Sequence, residues 1–140
     1  MLTSDLDTTR LAIIGPGRLG TAFAYKFGRD NKRVAIYYHD AEVCKAINRD
    51  HLNPLHLTED LAGRLGGMEK VPRLADKVYA TNDLEHIVEN NDFIILTITM
   101  NRLPEFLNYL KPMIDKKAGD TCLISPIKGL ISDEISKELI

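Results

Sequence analysis

Leu11-Ala-Ile-Ile-Gly-Pro-Gly-Arg-Leu-Gly20 decides the fold. Four apolar residues run into Gly15, Gly17 and Gly20, spaced G-x-G-x-x-G. The apolar run reads as a buried parallel strand. Thr21-Ala-Phe-Ala-Tyr-Lys-Phe27 reads as a helix. A strand that turns through glycines into a helix is the setting a dinucleotide-binding fingerprint requires. Gly15 allows the tight turn, Gly17 lets a pyrophosphate approach the backbone, and Gly20 lets the helix pack closely. The helix start then offers unpaired N–H groups and a positive dipole end. Taken alone, the same spacing also fits a glycine-rich turn with no ligand.

The rest of the chain supplies the context. The first helix is expected over Arg18 to Gly28, with Gly28 as its stop. Arg33 to Tyr38, rich in β-branched and aromatic residues, reads as a second strand. Asp40 is placed to cap a helix from Ala41 to about Arg49. Residues 50–76 read as a loop with one helix inside it, Leu57 to Leu65, ended by Gly66-Gly67 and followed by a short turn from Pro72. No chemistry beyond surface charge is legible there. Lys77 to Ala80 is a short third strand, and Thr81 or Asn82 caps a helix from Asp83 to Glu89. Asp92 to Ile98 is apolar on both faces, hence a central strand. Pro104 fits the first turn of a helix to about Ile114. Thr121 to Ser125 is a fifth strand, Pro126 to Gly129 a loop, and Leu130 to Ile140 the start of a helix. Residues 1–9 read as a flexible leader.

This alternation specifies an α/β protein: a doubly wound, Rossmann-type parallel sheet of at least five strands with helices on both faces, over residues 10–140. Ligands of such sheets bind beyond the carboxyl ends of the strands. Four loops reach that edge: Gly15–Gly20, His39-Asp40, Thr97–Arg102 and Ser125–Gly129. One domain's worth of chain, 140 residues at 44% hydrophobic content, suffices for a single core. With 18 basic and 20 acidic residues the net charge is −2, and no basic stripe points to nucleic acid. No apolar stretch approaches the ~20 residues needed to span a bilayer. Cys44 and Cys122 lie in apolar patterns and read as buried free thiols of a reducing, cytoplasmic compartment. His51, His56 and His86 match no ligand spacing, so no metal is expected. The Phe23, Tyr25, Phe27 set reads as packing.

These pieces occur in an order that resembles the cofactor-binding domain of NAD(P)-dependent sn-glycerol-3-phosphate dehydrogenase. The carriers are Gly15-Pro-Gly-Arg-Leu-Gly-Thr-Ala-Phe-Ala24, Tyr38-His-Asp-Ala-Glu42, Ile47-Asn-Arg-Asp50 followed by Asn53-Pro54, Ala80-Thr-Asn-Asp-Leu84, and Ser125-Pro-Ile-Lys-Gly-Leu130. The resemblance implies an oxidoreductase of glycerol-3-phosphate metabolism and phospholipid biosynthesis. It interconverts sn-glycerol 3-phosphate and dihydroxyacetone phosphate, using NAD or NADP. Gly15, Pro16, Gly17, Arg18, Leu19 and Gly20 would hold the pyrophosphate. His39 would sit near the adenosine ribose, with Asp40 behind it and Thr97 beneath the nicotinamide. Lys128 would meet both the nicotinamide end and the substrate. A cation there can bind a phosphate or polarise a carbonyl oxygen.

Departures from the family pattern bear on the site. Leu19 replaces an aromatic residue of the glycine loop. Thr97-Ile-Thr-Met-Asn101 lacks the proline usual after the fourth strand, and the Leu57–Val78 segment is longer than in bacterial members. The family's helical domain, with its general acid/base lysine, finds no counterpart in these residues. The expectation is therefore a cofactor-binding half that binds without turnover, in a full-length enzyme that forms a homodimer. Two other readings remain open at this point: a stand-alone NAD(H)-binding sensor or regulatory module, and a related hydroxyacid-type or ketopantoate-type dehydrogenase.

Overall fold

Strand β1, Leu11–Ile14, sits at the middle of the molecule with every residue buried. Apolar side chains alternate across it, so it demands a core on each face. The structure, a computed structural model, describes residues 10–30, 32–56 and 59–126. The expected leader, the end of the Ser125–Gly129 loop and the last helix lie outside these residues.

The elements follow in order: α1 (Arg18–Arg29), β2 (Val34–Tyr37), α2 (Ala41–Asp50), α3 (Glu59–Leu65), β3 (Val78–Thr81), α4 (Leu84–Asn90), β4 (Phe93–Leu96), α5 (Leu103–Lys116) and β5 (Cys122–Ile124). The five strands form one parallel sheet in the order β3-β2-β1-β4-β5. The doubly wound, five-stranded expectation is therefore met. Leu11 and Ile13 face a core shared with Ala24 of α1 and Cys44 and Ile47 of α2. Ala12 and Ile14 face the other core, with Ile87 and Val88 of α4 and Leu103 and Leu110 of α5. The direction of winding reverses between β1 and β4. Ile14 pairs with both Tyr37 and Leu96, so the carboxyl ends of β2, β1 and β4 are level and their loops gather. No helix among the described residues is long and apolar enough to cross a membrane.

Several local readings are corrected. Gly28 is not the stop of α1, which runs on to Arg29. A Cβ at Gly28 would lie 2.5 Å from a Val78 methyl, so this glycine allows the helix to touch β3. Helix α4 is capped by Asp83, whose Oδ1 accepts from the His86 N–H at 3.1 Å, rather than by Thr81 or Asn82. Thr81 is held in the sheet by the Tyr38 N–H and turns its hydroxyl to the Asp83 N–H. The turn assigned to Pro72 comes earlier, as one 3-10 turn at Met68–Lys70 after Gly66 and Gly67, both at positive φ. Cys122 is exposed, because β5 forms the sheet edge. Strand β4 is interior, although Phe93 at its start is exposed. Phe23 and Phe27 stack at 6.0 Å and pack with Tyr25 against the first core.

At the amino end of the sheet, Arg10 donates from Nε and Nη2 to the two carboxylate oxygens of Asp92, at 3.2 and 2.8 Å. This pairing holds the Asp92 carboxyl below the usual carboxylate range. A depressed folded-state pKa contributes stability above the unfolded value of about 4, and the contribution is lost as pH falls through the folded value. Asp92→Asn should therefore flatten the dependence of the urea midpoint on pH below about pH 4. An unchanged acid limb in the variant would show that the pair contributes nothing.

Candidate functional site

Three backbone carbonyls in the turn after β1 need partners, and each finds one in the interior. Thr97, just past β4, donates its N–H to the Ile14 carbonyl at 3.0 Å. Its Oγ1 lies 2.9 Å from the same oxygen and 3.0 Å from the Gly15 carbonyl. The Pro16 carbonyl accepts from Asn53 Nδ2 at 2.7 Å and from Thr21 Oγ1 at 3.3 Å. The Gly15 N–H donates to the Tyr37 carbonyl at 3.2 Å. The turn is thus tied to β2, β4, α1 and the segment after α2.

The three glycines do different work. Gly15 stands at φ +109°, a conformation that L side chains rarely adopt. A Cβ at Gly20 would overlap the Gly15 carbonyl oxygen and lie 2.7 Å from Thr97 Oγ1. At Gly17 a Cβ would meet nothing within 4 Å, and φ is an ordinary −69°. Gly17 is therefore not required by the turn itself; its bare backbone faces open space.

Gly17 is also the N-cap of α1. It brings no side chain to accept from the first-turn N–H groups, and no acidic residue lies in that turn. The N–H groups of the first turn have no intrahelical acceptor, and the positive end of a 12-residue helix stands beside them. Arg18 and Leu19 are exposed at this start. The arrangement is a donor cradle suited to an anion. A residue with a bulky side chain at 17 would fill it.

Beside the cradle a cleft opens between the ends of β2, β1 and β4. Gly15 and Pro16 form one wall, Tyr38 and His39 a second, and Thr97, Thr99 and Arg102 a third. His39 is exposed and leans on Tyr38, with ring centroids 4.3 Å apart. Asp40 Oδ1 is committed to the N–H groups of Glu42 and Val43 at 2.9 and 3.4 Å, capping α2 as expected. Burial pushes the Tyr37 hydroxyl and the Cys44 thiol above their usual ranges, so both remain protonated at neutral pH. The Cys44 thiol lies 3.5 Å from the Tyr38 carbonyl, which makes it a support of the β2 end rather than a nucleophile.

Of the sequence-derived residues, Gly15, Pro16, His39 and Thr97 meet at this cleft, with Gly17, Arg18, Leu19 and Gly20 continuing from it into α1. Thr97 contributes from below, through the turn's carbonyls. Lys128 lies outside the described residues. Two residues were not singled out. Arg102 brings a cation to the cleft from the loop before α5. Asn53, 3% exposed, reaches the glycine loop from 37 residues away, in the segment that read as chemically silent. The Asn53-Pro54 pair was its one sequence signal. Among the described residues, no group of three or more His, Cys, Asp or Glu side chains is placed to hold a metal ion.

A family model for the N-terminus of NAD-dependent glycerol-3-phosphate dehydrogenase matches residues 10–140. The chain is 28% identical over 137 residues to the NAD(P)+ glycerol-3-phosphate dehydrogenase of Acinetobacter baumannii strain SDF, across 93% of this chain and 34% of that enzyme. It is 33% identical over 87 residues to the same enzyme of Treponema denticola, across 62% of this chain and 21% of that one. The fold is similar to that of glycerol-3-phosphate dehydrogenase GPD1 of Saccharomyces cerevisiae, with a TM-score of 0.70 and 21% identity, over 94% of this chain and 36% of that one. The chain thus spans about a third or less of the curated relatives it matches.

The glycine geometry separates stability from binding. Gly20→Ala should destabilise by about 1–3 kcal/mol, the usual range for overpacking, because the clash is with backbone. Gly17→Ala should cost no more than about 1 kcal/mol, the N-cap preference for glycine over alanine. Denaturant unfolding of the two variants checks this, and equal losses would contradict the contrast.

Proposed function

The chain belongs to the family of NAD-dependent glycerol-3-phosphate dehydrogenase N-terminal domains, and on that premise we propose that it is the cofactor-binding part of an oxidoreductase that interconverts sn-glycerol 3-phosphate and dihydroxyacetone phosphate. The observation that carries this reading is the uncapped start of α1, open at Gly17 and placed where the sheet's winding reverses. Gly15, Pro16, Gly17, Arg18, Leu19 and Gly20 would hold the pyrophosphate. His39, with Asp40 behind it, would take the adenosine ribose, and Thr97 would underlie the nicotinamide end. NAD or NADP, when bound, supplies the hydride acceptor or donor.

What the chain's own residues do is bind and orient. Donors fixed before binding lose little freedom when a phosphate arrives, so their full attraction is available. Exposed His39, leaning on the half-buried Tyr38, offers an aromatic surface beside the cradle, and no carboxylate among the described residues lines the cleft. On this reading Lys128 binds the substrate phosphate or steadies charge growing on the substrate oxygen. Small-molecule chemistry is the whole partner list of this reading, apart from a second copy of the full-length enzyme. Its compartment is the cytoplasm, where the buried Cys44 thiol stays reduced.

Gly17→Val should abolish calorimetric binding of NADH while the protein stays folded, since a Cβ at 17 meets open space and the expected loss is that of an N-cap substitution, about 1 kcal/mol. Retained affinity would refute the pyrophosphate assignment. In the full-length enzyme, Lys128→Ala should lower turnover by about 10²–10³-fold, the usual loss for one donor to a developing oxyanion. Normal steady-state rates would remove Lys128 from the site.

A further inference from the structure

We infer that Asn53 is a positioning residue that holds the Pro16–Gly17 peptide so that the Gly17 N–H faces the pyrophosphate; this rests on the reading of the glycine loop as the pyrophosphate site.

The described chain contains no cis peptide bond, so the Pro16 carbonyl and the Gly17 N–H point in opposite directions. Asn53 Nδ2 binds that carbonyl at 2.7 Å from the protein side. The Gly17 N–H is thereby turned away from Asn53. The amide of Asn53 has one orientation available. Its Oδ1 accepts from the Leu55 N–H at 3.0 Å, and its Nδ2 also reaches Thr21 Oγ1 at 2.8 Å.

The peptide needs holding. Pro-Gly is the favoured central pair of a type II turn, in which the glycine takes φ near +80°. Here Gly17 stands at φ −69°. Flipping this peptide is cheap in sequence terms, because glycine accepts either sign of φ. The flip would aim the Pro16 carbonyl at the phosphates and withdraw the N–H. Asn53 makes this bond in the interior, at 3% exposure. It therefore selects the binding-competent turn.

The test uses ADP-ribose and NAD+ in calorimetry from pH 8 to pH 5. An aspartate at 53 keeps the shape but presents a carboxylate to a carbonyl at pH 8, and regains a donor when protonated. Asn53→Asp should bind at least tenfold more weakly than the wild type at pH 8 and recover as pH falls. His51, His56 and Arg18 line the cleft beside Asn53 and are common to both proteins, so the wild type measured over the same pH range is the reference. Thr21→Val, which removes the second donor to Pro16, should weaken binding severalfold with no recovery at low pH. Wild-type protein that binds neither probe overturns the pyrophosphate reading and this inference with it. Tight binding by Asn53→Asp at pH 8 overturns the positioning role alone. So does a tenfold loss that persists at pH 5. If circular dichroism shows Asn53→Asp unfolded, the smaller, uncharged Asn53→Ser takes its place, and wild-type affinity in that variant overturns the role.

Discussion

Backbone carbonyls buried at a sheet edge must be paired, and in this protein that constraint shapes the whole glycine-loop end. The carbonyls of Ile14, Gly15 and Pro16 all turn inward, to Thr97, Thr97 and Asn53. Once they are satisfied on the inside, the N–H groups from Gly17 onward are left facing outward. A cradle of donors is the other side of a set of satisfied acceptors. The glycines then follow from geometry. Gly20 must let α1 lie against the Gly15 carbonyl and Thr97, and Gly15 must turn through positive φ.

The long segment between α2 and β3 serves the same end. Asn48 of α2 brackets the outer edge of β3, accepting from the Ala80 N–H at 2.7 Å and donating to its carbonyl at 2.9 Å. This gives an edge strand a side-chain partner where a further strand would otherwise pair. Beyond α2, the Leu74 N–H donates to the His51 carbonyl at 2.8 Å, and Arg73 Nη1 to the Asp50 carbonyl at 3.0 Å. These links bring the two ends of the segment together and fix the place from which Asn53 enters the loop.

The strands were legible because each is an apolar run, and a two-faced core leaves few alternatives for such runs. The glycine loop was legible because Gly15 and Gly20 answer steric demands of the turn and Gly17 leaves the helix start open. What escaped the sequence was tertiary. Thr81, Asn82 and Asp83 compete as caps within three residues. The choice fell to Asp83 because Thr81 is held in the sheet by Tyr38. Gly28 looks like a helix stop until Val78 is placed beside it. Cys122 follows an apolar pattern, yet the edge position of β5 leaves it exposed. Asn53 carries no local sign of a bond made 37 residues away. The substrate end, where Lys128 was expected, lies outside the described residues.

The two ends of the sheet handle polar groups in opposite ways. At the amino end, charges are closed on one another. Asp92 takes both donors of Arg10, and Lys117, with its side chain 5% exposed, donates to the Asn91 carbonyl and Thr121 Oγ1 beside it. At the carboxyl end, first-turn N–H groups and an exposed imidazole stand without competing acidic side chains on the cleft side. Unpaired donors cost stability, because the field they create is repaid only by an anion. Such a cost persists where the surrounding structure fixes it, and Thr97 and Asn53 do that here. This asymmetry is what the proposed reading of the glycine loop as a site rests on. The same G-x-G-x-x-G with its donors capped would have been structure and nothing more.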